Sequence, residues 1–158
     1  MADSVLERIT QHIETTLKSV RKTNGYQSDF TVVRRGWQGN APTTEGVFVV
    51  IHQGQPTKIE NQSHDQTGWD QPYGIELYVY PAEDQELIPD AAINSARADA
   101  EKALTYDRES RKRDGLAFDT MVQAPLLFQD GSNHGVEVRI VVRYFTKFND
   151  PMTSAYES

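Results

Sequence analysis

The stretch GVEVRIVVRYFTKF, residues 135–148, decides how the rest of the chain is read. Val136, Val138, Ile140, Val142 and Tyr144 share one parity, while Glu137, Arg139 and Arg143 share the other. Alternation of this kind in β-branched and aromatic residues is the pattern of a strand with one buried face. At ~3.3 Å per residue, about twelve such residues reach roughly 40 Å, against ~17–20 Å for an ordinary strand. A strand that long in a small domain is expected to outrun its own sheet and leave its outer end to pair with another chain. The first expectation is therefore an assembly protein.

The elements before it are read outward from that strand. Residues 116–122, LAFDTMV, alternate as a strand, and Pro125 and Phe128 lead to the polar turn DGSNHG. A helix is predicted from Pro89 or Asp90 to Thr105, with Ile93, Ala96, Ala100, Ala103 and Leu104 as its apolar stripe. Strands are predicted over residues 30–34, 47–52 and 73–80, the second buried on both faces because it is almost continuously apolar. Residues 53–72, QGQPTKIENQSHDQTGWDQP, read as a long polar loop that contacts a partner or a neighbouring subunit. An opening helix has Val5, Leu6, Ile9, Ile13, Leu17 and Val20 on one face. Ser4 and Glu7 form its expected capping box, and Asn24-Gly25 its expected stop. The order gives an α+β fold: a mixed or mainly antiparallel sheet of about four to six strands with two helices packed on one face. One domain is expected over residues 1–148, followed by a polar, loosely held C-terminal tail over 149–158.

Composition narrows the function. The 158 residues carry 16 Lys and Arg against 23 Asp and Glu, a formal net charge of -7. That balance disfavours nonspecific binding to a nucleic-acid backbone, which needs concentrated positive charge. The absence of cysteine excludes disulfides, thiolate metal sites and cysteine nucleophiles. No run approaches the ~18 apolar residues that span a bilayer, and the N-terminus has no secretory pattern, so no membrane association is expected. No phosphate-binding glycine motif, GxSxG elbow or HExxH pair occurs. His52, His64 and Asp65, with Glu60 and Asp70 near them, are the one set that would suit a small metal-dependent or acid–base enzyme; their spacing fits solvated loop residues better. Arg34, Arg35 and Trp37, together with the 108–113 turn, would suit a nucleic-acid contact; an exposed aromatic beside arginines fits a protein interface equally well. No catalytic residue, metal or cofactor is expected. The candidate interface residues are Arg34, Arg35, Trp37, His64, Trp69, Tyr73, Arg139, Arg143 and Phe145.

Taken together, VLERITQHIETTL with NGY, GWDQPYGIELYVY, INSARADAEKAL, GLAFDT and GVEVRIVVRYFTKFNDP resemble phage tail terminator and related tail-completion proteins. The resemblance runs over nearly the whole chain and rests on the order and spacing of these segments. It implies a structural, non-enzymatic subunit of a homo-oligomeric ring, commonly hexameric. Such a ring caps the tail-tube protein, ends tube growth and presents a surface to the head connector, with DNA passing through its lumen without specific binding. It also implies a place in the virion tail or neck after synthesis in the host cytoplasm. Other head–tail connector subunits and tail-tube-like proteins share these features. A cyclic ring needs two different patches of one subunit to meet. The final strand and the 53–72 loop are the expected halves, and the net charge of -7 suits a lumen that DNA must not stick to.

Overall fold

The computed structural model describes residues 3–36, 46–59, 65–80, 89–130 and 133–156. Trp37, Glu60 and His64 lie outside the described residues. The described elements run α1 (Val5–Lys18), a 3-10 turn (Lys22–Asn24), β1 (Phe30–Arg35), β2 (Gly46–Gln53), β3 (Thr57–Lys58), β4 (Gln66–Tyr80), α2 (Pro89–Thr105), α3 (Arg108–Arg111), β5 (Asp119–Asp130), β6 (Asn133–Lys147) and β7 (Asp150–Ser154). The fold is α+β. Its seven-stranded mixed sheet follows the order β1-β2-β4-β6-β5, with β3 beside β4 and β7 beside β6. Among the described strands β1 and β2 run parallel, and each other pairing is antiparallel.

Parity fixes which face is covered. Val49, Ile51, Ile75, Leu77, Val136, Val138, Ile140 and Val142 point to one side, where they join Ile9, Ile13 and Leu17 of α1 and Ala96, Ala100 and Leu104 of α2 in one buried cluster. The alanines of α2 let the helix axis approach the sheet closely, as their spacing predicts. α1 and α2 thus cover the same face, and among the described residues no helix lies on the other.

Several expectations need correction. β6 does not project from the sheet as a free strand: it pairs with β4 over an unbroken register from Gln66↔Lys147 to Val79↔His134, and with β5 on its other side. Its partner β4 is equally long because it absorbs residues 66–72, which had been read as loop. These residues look like loop because Gly68, Asp70 and Pro72 occupy the helix-free parity, while Trp69, Gln71 and Tyr73 occupy the covered one. Pro72 is tolerated because its carbonyl accepts from Gly54 N (2.9 Å). In a strand the N and O of one residue point to the same side, so the missing N–H faces the gap between β2 and β3.

β5 likewise continues past Pro125, where Ala124 and Pro125 lie between the pairs Gln123↔Arg139 and Leu126↔Glu137 and so bulge opposite Val138. Residues 116–118 fall before the strand. Helix α1 stops at Lys18, sooner than Asn24-Gly25 predicts, because Ser19 Oγ donates to Thr16 O (2.6 Å); Gly25, at φ 91°, ends the 3-10 turn instead. The segment after residue 148 contributes β7, with Ser154 fully buried and Ala155 N donating to Phe145 O (3.0 Å).

Candidate assembly face

The helix-free face has a polar middle between two aromatic ends. In the middle, polar side chains pair with one another. Arg143 donates through Nε and Nη2 to both Asp70 oxygens (2.8 and 2.9 Å), a forked geometry that holds the guanidinium firmly charged. Glu76 and Glu137 lie directly opposite, a like-charge pairing that would destabilise the sheet if left alone. Arg139 Nε donates to Glu137 (2.8 Å), His52 Nε2 lies 2.9 Å from Glu76, and the Tyr78 hydroxyl also donates to Glu76. Gly74 sits opposite Arg139 and leaves room there for the Glu137 carboxylate, which lies 3.0 Å from where a Cβ would be. A shallow depression of about 410 Å³ follows, bordered by Pro72, Gly74, Gln123, Glu137, Arg139 and Val141.

At one end Phe48, Tyr78 and Phe128 form a chain of rings with centroids 5.9 and 5.0 Å apart, and the Arg34 guanidinium lies 5.6 Å from the Phe48 centroid. Phe128 packs over Gly135, where any Cβ would meet the ring at 2.5 Å and Leu77 O at 2.3 Å. At the other end Phe118, Phe145 and Tyr156 meet edge to face at 6.1 and 6.4 Å.

β5 borders this face and differs from every other described strand. Met121 and Leu126 point to the helix-free side, and Val122 and Leu127 to the helix side, by their pairing with β6. All four are exposed, Leu127 to 68%. Among the described residues β5 has β6 as its one strand partner. An edge strand with apolar side chains on both faces and an unpaired outer backbone is a template for another chain. The sequence reading missed these residues. The signal was there in MVQAPLL, whose apolar residues occupy both parities although the segment ends at an edge.

The named candidates divide between the two faces. Arg34, Arg139, Arg143 and Phe145 lie on the helix-free side by their registers. Arg35 does not: its guanidinium donates to both oxygens of Glu7 in α1 (2.6 and 2.9 Å), which holds the Glu7 carboxyl below its usual range. Glu7 is thereby drawn away from the reciprocal half of the capping box, while Ser4 Oγ does accept from Glu7 N (3.1 Å). Trp69 packs against the buried cluster. Tyr73 is 1% exposed, so it is a core residue and no docking anchor; its hydroxyl lies 2.7 Å from Thr10 Oγ1, and burial pushes its pKa well up.

The other constellations are dispersed. His52 pairs opposite Gly74, nine positions along β4 from Asp65, or roughly 30 Å at the rise of a strand. Among the described residues no three His, Asp or Glu side chains are placed to hold a metal ion. Arg34 and the 108–113 turn belong to opposite edges of the sheet. The turn is not simply solvated either. Arg113 is fully buried, donates through Nη2 to Leu104 O at the end of α2, and is pushed by burial down to about 10. No helix among the described residues is long and apolar enough to cross a membrane. No protein-family model matches the chain, and a comparison with curated proteins finds no match.

Proposed function

We propose that the chain is a non-enzymatic structural subunit of a phage tail, similar to a tail terminator, which assembles into a ring that ends tube growth and joins the tail to the head connector. The observation that carries this reading is β5, an edge strand with Met121, Val122, Leu126 and Leu127 exposed on both faces. Exposed aliphatic side chains on an edge strand are an aggregation hazard unless a specific partner covers them. The helix-free face adds a surface on which Arg143 is paired with Asp70 and Arg139 with Glu137 within the subunit, which lowers the penalty of burying those charges against a neighbour. The acidic net charge suits a ring around DNA that must slide.

The test is capping of growing tubes. When the cognate tail-tube protein polymerises with increasing amounts of this chain, mean tube length by electron microscopy is expected to fall, with a ring of density at the tube ends. Unchanged lengths and bare ends would remove the reading.

A further inference from the structure

Resting on that ring reading, the pairings within one subunit say which edges meet between subunits. β1 and β5 are the two ends of the strand order. β1 runs parallel to β2; β2, β4, β6 and β5 then alternate in direction, so β5 runs antiparallel to β1. A neighbour generated by rotation about an axis along the strands keeps strand sense and helix side. Its β1 therefore arrives antiparallel to β5, with the helices of both copies on one side of a continuous sheet.

Charge distinguishes this pairing from the alternative. β1, FTVVRR, carries two arginines and no acid, and β5, DTMVQAPLLFQD, carries two aspartates and no base. A two-fold pairing of β5 with β5 would also be antiparallel, but it would set acidic strand against acidic strand. In the β1–β5 arrangement the C-terminal end of β1 approaches the N-terminal end of β5, bringing the arginine end to Asp119. Directly opposed residues must share a face. Arg34 is opposite Val50, and Asp119 opposite Arg143, so both belong to the helix-free face. Arg35 belongs to the other face and is committed to Glu7.

We infer that β1 of one copy adds to β5 of the next, with Arg34 opposite Asp119 and Val32 opposite Met121, so that the ring is closed by one sheet running through its subunits. In that register Val33 faces Thr120 on the helix side. The Asp119 carboxylate, which lies 3.9 Å from Arg111 within its own chain, takes a second cation across the interface. In that register β1 spans residues 118–123, so Met121 and Val122 become covered and the outer edge of β1 gains a strand partner.

The chain has no native cysteine, so an engineered pair reports this contact without background. Opposed residues of antiparallel strands have Cβ atoms ~4.5–5.5 Å apart, close to what a disulfide spans. The full chain carrying both Arg34→Cys and Asp119→Cys is expected, on mild oxidation, to give a ladder of covalent multimers on a non-reducing gel. Arg35→Cys with Asp119→Cys, which places the thiols on opposite faces, should give none. A covalent dimer from Asp119→Cys alone would overturn the inference in favour of two-fold β5 pairing. Light scattering on the unoxidised double variant separates the two levels. An oligomer that gives no ladder overturns the β1–β5 contact and leaves the ring standing. A monomer that also fails to bind tube ends overturns both.

Discussion

The two faces of the sheet are built from the same strands and hold opposite chemistry. On the covered face Val138, Ile140 and Val142 of β6 are fully buried beneath α1 and α2. One residue away on the same strand, Glu137, Arg139 and Arg143 are partly or fully exposed and paired with polar neighbours. The difference teaches that folding and assembly are divided by parity along one strand. Stability resides in the helix-facing residue of each successive pair, and the surface offered to a neighbour resides in the other and in β5.

The sharpest separation of the two faces is expected from Ile140→Ala. Truncating this fully buried side chain removes packing within the core cluster and leaves a cavity, a change that costs ~2–5 kcal/mol. Urea unfolding of the variant should show a lower midpoint with unchanged slope. A Leu127→Ala loss of the same size would break the comparison, since surface changes of that kind usually stay within ~0.5 kcal/mol.

Gly135→Ala tests a place where the helix-free face is packed like the core. The added methyl meets the Leu77 carbonyl and the Phe128 ring, and overpacking of this kind costs ~1–3 kcal/mol. Thermal unfolding followed by circular dichroism should report the loss, and pairing the change with Phe128→Ala should recover part of it. Tyr73→Phe is the next step down. It removes a buried hydroxyl bonded to Thr10, worth ~0.5–1.5 kcal/mol, while Thr10 keeps its bond to Leu6 O (2.9 Å). The measurement is again the denaturation midpoint, and no change would mean that the Thr10 contact contributes nothing net.

The smallest effect lies at the α1–β1 tie and depends on pH. Because Arg35 holds the Glu7 carboxyl below its ordinary value of about 4.5, the folded state binds its proton less readily than the unfolded chain. The stabilisation is therefore complete above that ordinary value and lost as pH falls through the lower folded one. Both side chains are about one-third exposed, so solvent screening keeps the effect to ~0.2–1 kcal/mol. The stability difference between the native chain and Arg35→Ala, measured by urea unfolding from pH 7 to 2.5, should vanish at the acid end. A difference independent of pH would assign Arg35 a packing role instead.

Much of the covered face was legible in the sequence because burial there is periodic. The stripe of α1, the alanines of α2 and the alternation of β6 each announce their side. The first half of β4 was hidden because its polar and glycine positions share the helix-free parity, where a loop and a half-exposed strand have the same composition. A long β6 demanded an equally long partner, and that requirement was the usable clue. The assembly face was legible only in part. Arg34, Arg139, Arg143 and Phe145 lie on it, but Tyr73 and Trp69 share a parity with the core, and Arg35 is claimed by Glu7 from across the fold. Such a tertiary ion pair leaves no local trace. The second half of β5 escapes the alternation that ends at Val122 because Ala124 and Pro125 form a bulge, which shifts the parity of Leu126 and Leu127.

The most direct test of the division is the molar mass of the native chain and of Met121→Asp, by light scattering across one concentration series. A charge at an exposed edge position should leave the urea midpoint within ~0.5 kcal/mol of native. The account predicts a discrete ring-sized oligomer for the native chain and a folded monomer for the variant. An oligomer that survives Met121→Asp with the same mass would contradict it, because the paired stretch of β5 would then lie outside the contact.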